Sequence, residues 1–347
     1  DGPYWFPDYL ADLEALLDVL QPQGAVAGAA AGTGTGVATR RSLRVAVGVL
    51  WVLTAVTVIA LRLDTLLAGH PAYPVLLLVV LVAGVALVVA GWRGATRARP
   101  ARSGWLRVAG GAVGGLAALL LVAVLVYLVP LPATADAVAS LSGSSSVRVT
   151  NSATRIALSP VGQPVRAGLV VQPGAKVDPR AYVPLLSRIS EEGFLVVVVK
   201  QPLNIGFLAV GAPEGIIDDH PEVTSWAVGG HSLGGVAASS FAGRSPTPVN
   251  GLLFWASYPL GSLADRDLVV ASVSGTRDGL TTPSDVEASR DELPASSTFV
   301  AVEGAVHSFF GDYGEQSGDG TPTVSRAEAQ DQIVAASVAL MEAVAKG

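Results

Sequence analysis

The stretch Ser225–Gly235, SWAVGGHSLGG, decides how the chain is read. Its first five residues form a short apolar run of the kind that makes a buried strand, and a helical pattern follows at Gly235–Ala242. Between them stands Gly230-His231-Ser232-Leu233-Gly234, a Gly-x-Ser-x-Gly pentapeptide at the point where a strand must turn sharply into a helix. Glycine permits the conformations and close approaches that such a turn requires. A serine at its tip has its hydroxyl pushed above the sheet, which makes Ser232 a candidate nucleophile. The alternative is a glycine-flanked helix N-cap; the strand before and the helix after favour the nucleophile.

Similar punctuation extends in both directions. Further β-like runs occur at Val147–Leu158, Gly168–Gln172, Phe194–Lys200, Gly251–Ala256, Leu268–Ser274 and Thr298–Glu303. Helical patterns lie at Tyr182–Glu192, Ser284–Leu293 and Ala327–Lys346. Continuous apolar strands alternating with helices are what a parallel sheet covered on both faces requires. The expected fold is therefore α/β, with one domain over residues 147–347. The short segments after Lys200 and Ala256 leave no room for a large lid.

A serine hydroxyl needs a base, and the chain has four histidines. His70 falls between apolar runs, His220 precedes the nucleophile strand, and His231 points away from Ser232 as its neighbour on the turn. His307 remains, just after the last strand. A carboxylate that orients the imidazole belongs after the penultimate strand. There Gly275-Thr276-Arg277-Asp278-Gly279 places Asp278 at the strand's carboxyl end, whereas Asp265 and Asp267 sit at the wrong end and Asp285 and Asp291 in the next helix. The chain order is Ser232, Asp278, His307.

These residues carry a resemblance. Residues 147–347 resemble the small α/β-hydrolases of the dienelactone-hydrolase-like group, with VQPGAKV (171–177), GGHSLGG (229–235), GTRDGL (275–280) and EGAVH (303–307) at corresponding places. Dienelactone hydrolases proper use a cysteine nucleophile; this chain has Cys 0 and Ser232, so the resemblance implies the fold and acyl chemistry but not that substrate. The segment Gly311–Ser325 also looks like a tail found in relatives, with no role expected beyond shaping the rim near His307. An oxyanion hole needs two backbone N–H donors. One is expected from Leu233 and the other from the loop after strand 168–172, where the resemblance favours Ala175. Lys176 could steer an anionic substrate or simply be solvated. The mechanism implied is acyl transfer through Ser232, with no metal or organic cofactor.

The N-terminal part has a different composition. Half of all residues are hydrophobic and 14% charged, and the first 146 residues hold only 7 of the 28 acids. Three apolar runs stand out at Val45–Leu61, Ala72–Trp92 and Val108–Leu131. About 20 residues cross a bilayer core, so three spans are expected, the first needing to extend past Arg62. Arg40, Arg41 and Arg44 precede the first span, and five arginines (93, 97, 99, 102 and 107) fill the loop between the second and third. Basic loops stay cytoplasmic, which puts the N-terminus inside and everything after about residue 132 outside. Trp92, Trp105, Tyr73 and Tyr127 sit where interfacial anchors would. Gly110, Gly111, Gly114 and Gly115 could form a close-packing helix face or simply fill a membrane helix. Ahead of the spans, Asp8–Leu20 reads as a short acidic amphipathic helix and Pro22–Thr39 as an Ala/Gly linker. The chain opens on Asp, so its true N-terminus could lie further upstream.

The expected organisation is thus a cytoplasmic segment at 1–42, a three-helix anchor at 43–132, a linker at 133–146 and an α/β-hydrolase domain at 147–347. The expected function is a membrane-anchored, extracytoplasmic serine hydrolase of carboxylic esters, acting on small or lipid-like esters. Two other classes compete: a hydrolase fold kept as a non-catalytic envelope interaction domain, and a transporter or channel. Three spans without an internal charge pair or broken helix make a poor pore. With 22 Lys+Arg against 28 Asp+Glu, a nucleic-acid partner is not expected.

Overall fold

A computed structural model describes residues 35–93 and 104–347. The acidic helix expected at Asp8–Leu20, most of the Ala/Gly linker and most of the arginine-rich loop lie outside them. Three helices lead the described chain: α1 (Thr35–Ala68), α2 (Ala72–Trp92) and α3 (Gly104–Tyr127). Within them Ser42–Ala68, Ala72–Trp92 and Ala109–Tyr127 are long and apolar enough to cross a membrane. The first outruns its apolar stretch, as its length requires, but Arg62 leaves helical geometry (φ −133°, ψ 18°) and kinks it. Helix also begins at Thr35, inside the expected linker.

The helices pack closely through residues that the sequence did not single out. A Cβ on Gly48 would lie 2.6 Å from the Gly84 carbonyl oxygen, and one on Gly84 would lie 2.8 Å from that of Gly48. Backbone therefore meets backbone between α1 and α2, the contact small residues permit in membrane helices. The glycines of α3 do not play this part within the chain, since Gly110, Gly114 and Gly115 face nothing within 4 Å. Tyr73 is not an interfacial anchor: it is buried and its hydroxyl donates to the Leu125 carbonyl.

The rest of the chain is built on one eight-stranded sheet in the order β1-β2-β4-β3-β5-β6-β7-β8. Its strands are β1 (Val147–Asn151), β2 (Arg155–Pro160), β3 (Ala167–Gln172), β4 (Phe194–Val199), β5 (Trp226–His231), β6 (Gly251–Trp255), β7 (Val269–Gly275) and β8 (Thr298–Val302). The run Val147–Leu158, read as one strand, is a hairpin whose halves pair antiparallel. Alternation of apolar and polar residues has the same period through both halves, so it does not reveal the turn at Ser152–Thr154. From β4 to β8 every pairing is parallel.

Period-two geometry splits each central strand between two cores. In β4, Val196 and Val198 face the core containing α5 (Val183–Glu191) and α9 (Arg326–Val344), whereas Leu195, Val197 and Val199 face the one containing α6 (Ala212–Asp218) and α7 (Leu233–Arg244). This is why FLVVVV shows no alternation: both faces are dry. Trp255 is wholly buried on the first side, its indole N–H bonded to Ser337 Oγ at 2.9 Å. Between span and sheet, α4 (Ala135–Ala139) and a 3₁₀ turn occupy the expected linker, and α8 (Pro283–Ala288) follows β7. No large lid interrupts the segments after β4 or β6. The topology is that of the α/β-hydrolase fold preceded by three long apolar helices.

The helix contact yields a contrast. Gly84→Leu should overpack α1 against α2 at a cost of roughly 1–3 kcal/mol or more, lowering the thermal midpoint of the detergent-solubilised protein. Gly114→Leu, which meets nothing, should leave that midpoint unchanged.

Candidate active site

The turn between β5 and α7 is shaped by two glycines. A Cβ on Gly234 would stand 2.0 Å from the Gln172 carbonyl oxygen, and one on Gly230 would stand 2.4 Å from Gly234 carbonyl carbon. No larger residue fits, and the chain between them is forced into the left-handed region at Ser232 (φ 52°, ψ −125°). Such strain persists only when its surroundings over-determine it. Here the Ser232 N–H donates to the Trp255 carbonyl at 2.9 Å, and its own carbonyl accepts from Ser257 Oγ at 2.7 Å. The side chain is left half-exposed at the carboxyl edge of the sheet.

Asp278 and His307 arrive from the ends of β7 and β8. His307 Nδ1 lies 2.9 Å from Asp278 Oδ2 and 3.2 Å from Oδ1, and both side chains are buried. Asp278 Oδ1 also accepts the N–H groups of Leu280 and Thr281, each at 2.8 Å, so the carboxylate is locked in place. A proton on Nδ1 leaves Nε2 as the basic nitrogen. Nε2 is buried and bonded to no protein group; Ser232 Oγ is not within hydrogen-bonding reach of it. Such contacts are often long in a site without substrate and tighten with it bound.

The loop after β3 is pinned on both sides of Ala175. Gly174 N–H donates to Tyr182 Oη at 2.8 Å and Lys176 N–H to the Asn204 carbonyl at 3.0 Å, while Ala175 N–H meets no acceptor among the described residues. Leu233 is the first residue of α7, where the backbone N–H has no acceptor within the helix. Lys176 turns toward the helices: its ammonium sits 4.2 Å from the centre of the Tyr127 ring, at the end of α3, and partial burial lowers its pKa.

His231, set aside in the sequence, has a structural task. Its Nδ1 is 2.9 Å from Tyr182 Oη, and since that hydroxyl already accepts from Gly174, it donates to His231. The imidazole lies 4.5 Å, centre to centre, from that of His307. Burial, and next the neighbouring His307, hold its pKa well below the usual histidine value, so it stays neutral. A chain of hydrogen bonds thus joins the nucleophile turn to the loop that carries Ala175.

Asp319 is the residue that sequence reasoning missed. Its Oδ1 accepts the N–H groups of His307 at 3.0 Å, Gly279 at 3.4 Å and Gly320 at 2.8 Å, and its Oδ2 that of Ser308 at 2.8 Å. One carboxylate therefore ties the Asp278 loop to the His307 loop. Gly320 makes this possible, since a Cβ there would fall 1.7 Å from the Arg277 carbonyl oxygen. Arg326, at the start of α9, clamps the same segment by donating to the carbonyls of Ser308, Gly311 and Tyr313. The tail at Gly311–Ser325 is thus a brace and not merely a rim. Its one signal in the sequence is the turn-forming Gly318-Asp319-Gly320. Among the described residues no group of three or more His, Asp or Glu side chains converges to hold a metal.

Residues 168–331 match the model of the alpha/beta hydrolase family. Among solved structures, a predicted CIB-like hydrolase from Thermoplasma acidophilum is similar at 14% identity and a TM-score of 0.45, covering 57% of this chain and 99% of its own. An alpha-beta serine hydrolase homologue from Coxiella burnetii is similar at 15% identity and a TM-score of 0.38, covering 47% of this chain and 89% of its own. No curated protein matches the chain significantly.

The brace can be tested directly. Asp319→Asn replaces an acceptor oxygen with an N–H₂ group facing backbone donors. Hydrogen bonds to a charged group are worth about 1.5–3 kcal/mol, so the thermal midpoint should fall and the rate at which Ser232 reacts with a fluorophosphonate should drop at least about ten-fold. An unchanged labelling rate would show that Asp319 does not position His307.

Proposed function

We propose that this chain, whose C-terminal domain has the fold of the alpha/beta hydrolase family, is a membrane-anchored serine hydrolase that cleaves carboxylic esters. The observation that carries the reading is the buried Asp278–His307 pair with Nε2 unpaired, at the same sheet edge as a serine in a strained turn. Three groups far apart in sequence converge there, and His307, unlike the equally buried His231 whose Nε2 is also unpartnered, is held through its other nitrogen by a carboxylate.

In the proposed reaction His307 Nε2 takes the Ser232 proton as Oγ attacks the ester carbonyl. The tetrahedral oxyanion is held by the N–H groups of Leu233 and Ala175. As the intermediate collapses, the ester C–O bond breaks and His307 protonates the departing alkoxide, leaving an acyl group on Ser232. Water, deprotonated by His307, then attacks the acyl-enzyme; carboxylic acid leaves and Ser232 recovers its proton. Asp278 holds the ring and stabilises its charged form. The three apolar helices anchor the domain, and the arginine distribution favours an extracytoplasmic site with the N-terminus in the cytoplasm.

In membranes containing the protein, a fluorophosphonate probe should label the wild type, and Ser232→Ala should abolish labelling. Equal labelling of both would overturn the enzyme reading. A phosphatase reporter that is active only outside the cytoplasm, fused after Gly347, should be active. Silence from a folded fusion would reverse the orientation.

A further inference from the structure

The sheet edge that carries Ser232 is turned toward the membrane helices. The loop with Ala175 touches one end of the anchor: Lys176 lies over Tyr127, the last residue of α3, and Leu131, just beyond it, donates its N–H to the Lys176 carbonyl. Arg180 reaches Asp64 on α1 at 2.7 Å. Beyond β4, Leu203 and Ile205 pack against the cluster of Val58, Leu66, Tyr73 and Leu125 inside the helical bundle. The carboxyl ends of β3 and β4 therefore abut the ends of the spans, and the neighbouring end of β5 holds the nucleophile.

That same edge is apolar where it is open. In residues 131–347 eight large apolar side chains are exposed, and five of them, Phe207, Leu208, Tyr258, Leu260 and Leu280, lie on the carboxyl edge. The other three, Val161, Val165 and Val269, lie at the opposite edge. The segments that carry them are tied to the elements of the site. Gly206, which precedes Phe207, packs against the Leu233 carbonyl. Tyr258 follows Ser257, whose hydroxyl is bonded to Ser232. The Leu260 N–H is bonded to Ser239 of α7, and the Leu280 N–H to the Asp278 carboxylate. An exposed apolar cluster beside a reactive group marks a binding surface and not chance exposure. Phe207 and Leu208 continue directly from the loop seated in the bundle, so this surface prolongs the face that meets the bilayer.

We infer that the substrate is an ester of a long-chain, membrane-resident amphiphile, drawn from the leaflet next to the hydrolase domain, its acyl chain lying along Phe207, Leu208, Tyr258 and Leu260 while its carbonyl reaches Ser232. This rests on the serine-hydrolase reading above and names its substrate class. The anchor then has a catalytic purpose: it holds the site at the depth where the ester bond resides. The reaction releases a fatty acid and the alcohol that carried it, water supplying the remaining oxygen and hydrogen atoms.

The test uses the full chain in phosphatidylcholine vesicles with two probes that share a leaving group, 4-methylumbelliferyl oleate in the bilayer and 4-methylumbelliferyl acetate in the water. The oleate-to-acetate turnover ratio should exceed one in the wild type. It should fall at least ten-fold in Phe207→Ser/Leu208→Ser, and separately in Leu260→Ser, each confirmed as folded by fluorophosphonate labelling. A wild-type ratio below one, or a ratio that neither variant moves, would overturn the inference while leaving the hydrolase intact. Failure of the wild type to label at all would instead remove the hydrolase reading, and this inference with it.

Discussion

The backbone crossing between β3 and the start of α7 is the contact on which the site depends. Gly234 lies against the Gln172 carbonyl so closely that a single methyl group would collide with it. This contact does two things at once. It drives Ser232 into a conformation that an L-residue avoids, and it holds the loop with Gly174 and Ala175 beside that serine. The parallel sheet supplies the rigidity to sustain that strain, because β3 and β5 are paired along their whole length and buried on both faces.

Around this crossing the remaining groups are positioned mostly by backbone hydrogen bonds. Tyr182 links Gly174 to His231, whose ring is tilted against that of His307; Asp319 links the loop of Asp278 to that of His307. Arg326 holds the intervening tail onto α9. The arrangement is closed on itself, so that each loop of the site is fixed by at least one side chain from another. The same loops rest on the ends of the apolar helices. The buried Asp178–Arg180 pair, extended to Asp64, fastens the loop after β3 to α1. The helical part is therefore packed into the base of the site, which is a closer relation than that of a tether to its cargo.

Much of this was legible before any coordinates. The strands Phe194–Val199 and Gly251–Trp255 announce themselves as unbroken apolar runs because both faces are buried. Asp278 and His307 stand out as a candidate pair because proton chemistry restricts residue type and because a parallel sheet delivers its loops to one edge in a known order, and the structure brings the two within 2.9 Å. The hairpin at Val147–Pro160 was read as one strand, since period-two alternation has no marker for a tight turn of ordinary residues. Tyr73 was taken for an interfacial anchor because aromatic residues at the end of an apolar run look the same whether they face lipid or a neighbouring helix. Asp319 went unseen for another reason: its partners are backbone N–H groups, which every residue but proline carries and which leave no trace in composition.

The sequence by itself determined the division of the chain into apolar helices and an α/β domain, the parallel strands of its sheet and the candidate serine, aspartate and histidine. These follow from local periodicity and from the few side chains able to do proton chemistry. Only the tertiary structure decided which backbone groups close the site, which glycines bear the helix contact, and that the serine's edge of the sheet faces the apolar helices. Those outcomes arise from contacts between distant segments, made largely through main-chain atoms, and a string of side-chain identities does not encode which main chains will meet.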